Sequence, residues 1–160
     1  MYSTTLAIIG AQSRSSSVEI MAHLADKLDS VDAYDITHEQ DTLSFRGGLF
    51  RLVGNWNVLI SITRGEIRID RVAMLVQYRL SFVQIVVIVS LLVCLFPVFA
   101  LTYGFPRPAI IPVTCLFEFL LVGGNIATGI RGFEKFIRSS IEETGLTTIV
   151  LSRSFRERKK

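Results

Sequence analysis

One acidic residue, Glu118, interrupts an otherwise uncharged and largely apolar stretch over residues 108–130. A carboxylate inside a membrane segment is costly, so such a residue usually faces protein or water and has a partner. Successive residues of a helix are rotated by about 100°, which puts other polar side chains on the face of Glu118. Folding the chain back before residue 108 brings polar residues of the preceding apolar stretch to similar depths. The resulting polar stripe comprises Cys115, Glu118 and Asn125 on the second stretch, with Ser90 and Gln84 on the first.

Three roles fit the polar stripe, and all require side chains that hydrogen-bond or carry charge in an apolar setting. The first is an ion or proton path through the membrane. The second is a line of contact with another subunit. The third is a hydrogen bond that joins the two helices of one chain, worth about 1 kcal/mol. We favour the two packing roles over conduction.

Small residues follow Glu118 at a spacing of four, which permits helices in a membrane to approach closely. The pairs are Gly123 with Ala127 and Gly124 with Thr128. Association with another helix and packing inside one hairpin explain this pattern equally well.

No constellation of residues predicts catalysis or metal binding. His23 and His38 have no Cys or His at ligand spacing, and no glycine-flanked serine has a matching His and Asp. The two cysteines lie in apolar runs and are too few for a disulfide framework. We therefore expect a non-enzymatic protein with no catalytic residue, no metal and no cofactor.

The charge distribution favours lipid over nucleic acid as a partner. Residues 1–80 hold eight basic and nine acidic residues, so we expect no nucleic-acid partner there. Residues 131–160 hold eight basic and four acidic residues. Basic residues near an anionic membrane surface contribute roughly 1 kcal/mol each, although a basic end can equally be a solvated terminus. The candidate headgroup contacts are Arg131, Lys135, Arg138, Arg153 and Arg156.

A hairpin of two membrane helices must position these residues. Half of the 160 residues are hydrophobic, and none between Arg79 and Arg107 is charged. Residues 82–101 and 108–130 each reach the 20 or so residues that cross about 30 Å of hydrocarbon. Basic residues flank the outer ends of both stretches, and only Arg107 lies in the turn, so both termini should be cytoplasmic. In a bacterium that membrane is the inner membrane.

The regions outside the hairpin indicate an antiparallel sheet with one N-terminal helix. A period near 3.6 predicts a helix over 17–28, and alternation of apolar residues predicts short strands from residue 34 onward. Residues 72–80 favour a strand leading into the hairpin, with a helix from residue 71 as the alternative. Residues 131–141 continue helically and either lie in the membrane interface or pack on the sheet. The predicted strands cover 5–9, 34–36, 43–45, 58–62, 67–69 and 72–80, with an additional edge strand at 147–151.

The expected fold is thus an α+β membrane protein with a small cytoplasmic antiparallel-sheet domain, one N-terminal helix and a two-helix transmembrane hairpin. The predicted divisions are a cytoplasmic domain at 1–80, the hairpin at 81–130, and a juxtamembrane helix with basic tail at 131–160. A single hairpin has too few partners for the polar stripe, so we expect a homo-oligomer or other membrane subunits. The predicted function is a subunit or scaffold of a membrane assembly, with a cytoplasmic domain for partner contact. The alternative is an oligomeric pore or membrane effector lined by Glu118 and Asn125.

Overall fold

The computed structural model shows an α+β fold with a six-stranded antiparallel sheet and three helices. It describes residues 1–9, 14–39, 41–47, 59–70, 72–104 and 106–155. The strands are β1 (Tyr2–Ile9), β2 (Tyr34–Glu39), β3 (Thr42–Arg46), β4 (Arg64–Asp70), β5 (Leu75–Ser81) and β6 (Thr147–Phe155). The helices are α1 (Arg14–Ser30), α2 (Val83–Thr102) and α3 (Arg107–Glu142).

The strand order is β2-β3-β4-β5-β1-β6, so the first strand of the chain is internal to the sheet. β1 pairs with β5 on one side and with β6 on the other, both antiparallel. Tyr2 thereby lies opposite Leu80 and Phe155, which brings both ends of the described chain to the place where β5 leads into α2. The sheet is completed only when β6, more than a hundred residues after β1, has joined it.

Several expectations differ from the structure in detail. The strand predicted at 58–62 is wrong in its described part, because Leu59 to Ser61 form a turn and Ile62 lies outside any strand. Its alternating apolar residues are nevertheless buried: Leu59 and Ile62 fill the core from a loop. Val58 lies outside the described residues. The strand alternative for 72–80 is correct, with β5 at 75–81, and α1 extends beyond the predicted 17–28 at both ends.

One face of the sheet is buried beneath α1 and the second half of α3. Alternate residues of the strands point into this core, as expected for a sheet with one covered face. α1 contributes Leu24 and Leu28, and α3 contributes Phe133, Ile137 and Ile141, all with 0% exposure. Residues 131–141 therefore pack on the sheet, which was one of the two alternatives.

An aromatic cluster joins α3 to the middle of the sheet. Phe133 stacks on Phe45 with ring centroids 5.5 Å apart and meets Tyr78 edge-on at 5.3 Å. The Phe45 ring lies across Gly65, its pairing partner in β4. A Cβ on Gly65 would be 2.0 Å from Phe45 Cζ, so only glycine leaves room for the ring.

Polar contacts set the turns and the position of α1. Asp70 Oδ1 accepts hydrogen bonds from the backbone N–H groups of Val72 and Ala73, at 2.9 and 3.0 Å, in the turn between β4 and β5. These two donors lower the pKa of Asp70. Lys27 of α1 contacts Glu143 at the end of α3, with 2.7 Å between Nζ and Oε2. The hydrogen bond from Lys27 lowers the pKa of Glu143.

The other face of the sheet is not covered by any described element. It displays basic side chains from three neighbouring strands, interrupted by Glu66 and Asp70. We call it the open face, and its basic residues are Arg46, Arg64, Arg68 and Arg79. Arg46 also forms an ion pair with Asp35, with 3.3 Å between Nε and Oδ2.

α2 and α3 are long and apolar enough to cross a membrane, with 20 and 36 residues. Their most apolar 18-residue windows lie largely outside the core, because only 22% and 6% of those windows are buried. Large apolar side chains are exposed on both helices, among them Leu91 and Val98 on α2 and Ile111 and Phe119 on α3. α3 comes close to the end of the sheet domain at Gly129. A Cβ added to Gly129 would lie 3.0 Å from Phe82 Cε1 and 3.1 Å from Ser61 Cβ, which is a tight contact.

Candidate functional site

Ser90 and Glu118 form the main polar contact between the two apolar helices. Ser90 Oγ of α2 donates a hydrogen bond to Glu118 Oε1 of α3, with 2.8 Å between the oxygens. The contact occupies one oxygen of the carboxylate, and the Glu118 side chain is otherwise exposed on the outer surface of the hairpin. Towards the turn, the rings of Phe96 and Phe117 lie 5.6 Å apart and continue the helix contact.

The other members of the polar stripe are not brought together. Asn125 Nδ2 donates to the backbone carbonyl of Leu121 in its own helix at 2.7 Å. The backbone N–H of Gln84 donates to Thr63 Oγ1 at 2.8 Å, which attaches the start of α2 to the sheet domain. Among the described residues no hydrogen bond joins Gln84 to Asn125. Cys115 is a free, exposed thiol, as is Cys94 on the other helix.

The small residues at four-residue spacing lie outside the hairpin contact. A Cβ on Gly123 or Gly124 would meet no described atom within 4 Å. Ala127 and Thr128 are exposed, and the Thr128 hydroxyl donates to the carbonyl of Gly124 at 2.8 Å. These four residues therefore form a smooth strip on the surface of α3, whereas the close approach within the chain occurs at Gly129.

A groove of about 820 Å³ runs along α3 from Gly123 to Glu142. Its volume falls within the range of pockets that hold small ligands. Three of the predicted headgroup residues line it: Arg131, Lys135 and Arg138. Arg153 is opposite Thr4 in the pairing of β6 with β1, but its side chain and all of Arg156 lie outside the described residues.

Two residues of the groove carry no signal in the sequence that would assign them to it. Tyr2 forms part of the wall although it lies far from α3 in the chain. Only the pairing of β1 with β5 and β6 brings it there. Glu134 also lines the groove and is buried, with 8% exposure, beside the Phe133 of the core. An acidic residue next to Lys135 cannot be distinguished in the sequence from a solvated one.

Comparisons of the chain with protein families, with curated proteins and with solved structures find no match. Within the part of the chain that the structure describes, no group of three or more His, Cys, Asp or Glu side chains could hold a metal ion. The described side chains of the hairpin and groove offer hydrogen bonding, ion pairing and apolar contact.

Proposed function

We propose that the chain is a two-pass membrane protein that acts as a non-enzymatic subunit or scaffold of a membrane assembly, with both termini in the cytoplasm. The apolar surfaces of α2 and α3 support this proposal, because only 22% and 6% of their most apolar windows are buried by the rest of the described chain. Arg107 begins α3 at the turn, whereas Arg131, Lys135 and Arg138 follow its apolar part. The excess of basic residues at the domain end supports a cytoplasmic sheet domain.

Glu118 is the single observation that carries the association part of the proposal. It lies eleven residues after Arg107 and eleven before Gly129, the level at which α3 meets the sheet domain. At 1.5 Å per residue it is therefore about 16 Å from either level, close to the midplane of a hydrocarbon core of roughly 30 Å. An exposed carboxylate at that depth needs a polar partner beyond Ser90, and a second chain would supply one.

Two residues of the strip, Gly124 and Thr128, lie outside the groove lining and support the same conclusion. Small residues let helix backbones approach closely, and no described part of this chain uses the strip for that purpose. The open face of the sheet offers a second contact surface on the cytoplasmic side. Its four arginines favour an acidic region of a partner protein.

The proposal is tested by the mass of the detergent-solubilised protein. We expect wild type to behave as a multiple of the 17.9 kDa chain. Glu118→Leu should shift the population towards monomer, whereas Glu118→Gln should retain association because an amide still hydrogen-bonds between helices. Leu120→Ala, at an exposed neighbouring position, is the matched control and should retain the wild-type mass.

Ser90→Ala separates association from a role inside the hairpin. This change removes the hydrogen bond to Glu118 and leaves the carboxylate available to another chain. We expect it to retain the oligomer. A wild-type protein that is strictly monomeric, or a Ser90→Ala variant as dissociated as Glu118→Leu, would overturn the proposed role of Glu118.

An oligomeric pore is the second candidate, favoured by the placement of Glu118 and Asn125 on one face of α3. They are seven residues apart, so they are almost in line along the helix. In an oligomer with this face turned inward, the carboxylates would form a ring at mid-depth. Ion flux into liposomes, compared between wild type and Glu118→Ala, tests conduction, and equal flux in both would remove this candidate.

A further inference from the structure

The groove along α3 changes in polarity at one level. The half of the groove nearer the hairpin is apolar and is lined by Gly123, Ile126, Ala127 and Ile130. From Arg131 onward its lining is mainly polar or charged. The change falls two residues beyond Gly129, where α3 passes from its contact with α2 to its contact with the sheet domain. The groove therefore presents an apolar floor beside the proposed membrane span and a charged floor beside the domain.

The charged half of the groove favours an anionic group. Its lining contains three basic residues, Arg131, Lys135 and Arg138, and two acidic residues, Glu134 and Glu142, which leaves an excess of one positive charge. Arg138 Nε is buried, and no acceptor lies within hydrogen-bonding distance of it among the described residues. An oxygen-rich ligand would supply that acceptor.

We propose that the groove binds one anionic glycerophospholipid from the cytoplasmic leaflet. The phosphate and its headgroup lie against Arg131, Lys135 and Arg138, and an acyl chain runs along the smooth strip at Gly123 and Ala127. An acyl chain fits this strip because neither residue has a side chain larger than a methyl group. This inference rests on the proposed membrane insertion of α2 and α3, and it adds a specific lipid as a structural ligand.

The test uses the full chain in nanodiscs that contain equal amounts of phosphatidylglycerol and phosphatidylethanolamine. After release into mild detergent, native mass spectrometry counts the lipids that stay bound to each chain. We expect one retained phosphatidylglycerol per chain. The double variant Arg131→Glu/Lys135→Glu should reduce its retention about tenfold or more, because each base near an anionic lipid strengthens binding several-fold.

Two further variants make the result specific to the groove. Arg68→Glu/Arg79→Glu changes the net charge equally but alters the open face, so lipid retention should equal that of wild type. Ala127→Leu fills the apolar half of the groove and should reduce retention of phosphatidylglycerol. Equal retention in wild type and the groove variants, equal retention of both lipids, or a cross-link from position 127 to a second copy of the chain would overturn the inference.

Failure of this inference is distinguishable from failure of the proposed function. Flotation of the protein with vesicles through a density gradient reports membrane insertion independently of any retained lipid. A protein that floats but retains no phosphatidylglycerol refutes the groove ligand alone. A protein that does not float refutes the proposed membrane function as well.

Discussion

Gly65 illustrates how a single residue determines the packing between the sheet and α3. The absence of a side chain at this position lets Phe45 lie over the strand, and Phe45 in turn stacks on Phe133. An aromatic ring that covers a glycine on the neighbouring strand also protects the backbone there. The position of α3 on the sheet therefore depends on the absence of a Cβ at Gly65.

Gly65→Ala should destabilise the sheet domain. The new Cβ would overlap the Phe45 ring, and relief of such overpacking typically costs about 1–3 kcal/mol. Thermal unfolding followed by near-ultraviolet circular dichroism measures the change. Gly124→Ala is the matched control, because a Cβ there meets nothing within 4 Å. Equal midpoints for wild type and Gly65→Ala would contradict the packing described for Phe45.

Glu143 predicts a pH-dependent contribution to stability. Its pKa is lowered by the Lys27 hydrogen bond, so the unfolded chain binds more protons than the folded chain as the carboxyl titrates. The contribution is therefore present above the ordinary value of 4.5 and is lost as the pH falls through the lower folded value.

Midpoints of thermal unfolding at several pH values, compared between wild type and Glu143→Gln, measure this contribution. We expect the wild-type advantage to shrink on acidification and to weaken in high salt, because both partners are partly exposed. Asp70→Asn is the control. It removes a different carboxyl group whose pKa is lowered, and it leaves the contact between Lys27 and Glu143 intact. A wild-type advantage that is constant from pH 7 to strongly acidic pH would count against the ion pair.

Among the elements, those with local periodicity were predictable and those that depend on distant pairing were not. The spacing of Phe133 and Ile137 predicted an apolar helix face, but its target exists only after the sheet has formed. Likewise, alternation at residues 58–62 reflects burial, which a loop packed on the core produces as well as a strand does. The internal position of β1 required β6, whose pairing is non-local.

The candidate site follows the same division. The equal depth of Ser90 and Glu118 follows from folding one helix back on another, and the two side chains do meet. Asn125 and Gln84 do not, because an asparagine in a helix can satisfy its amide at the carbonyl four residues earlier. The groove could not be predicted, since Tyr2 reaches it only through the sheet.

Phe133→Ala should detach the second half of α3 from the sheet. Removal of a fully buried phenylalanine costs about 3–5 kcal/mol, and this one contacts rings from two strands. Faster amide hydrogen exchange in β3 and β5, measured by mass spectrometry, would report the loss. Phe119→Ala, at a 75% exposed position of the same helix, should leave that exchange unchanged. Exchange that is equally slow in both variants would contradict the docking of α3 on the sheet.

At the scale of the whole molecule, α3 joins the hairpin to the sheet domain without a break. Its 36 residues extend about 54 Å, enough to pass through a bilayer and continue over the sheet. Two contacts attach the domain where the apolar part of α3 ends: Gly129 against Phe82, and the Gln84 backbone against Thr63. A movement of the hairpin would therefore be transmitted to the domain through a continuous helix.

This arrangement predicts that the turn at Tyr103 and the sheet domain lie on opposite sides of the membrane. In a background with Cys94→Ser and Cys115→Ser, Tyr103→Cys and Asp29→Cys provide single exposed thiols in the turn and in α1. In sealed right-side-out vesicles, a membrane-impermeant maleimide added outside should label Tyr103→Cys and leave Asp29→Cys unlabelled. After the vesicles are dissolved in detergent, both thiols should be labelled, which shows that an unlabelled thiol was protected by the membrane. Labelling of both thiols from the same side would contradict the spanning hairpin, because α2 and α3 would then lie on one side of the bilayer.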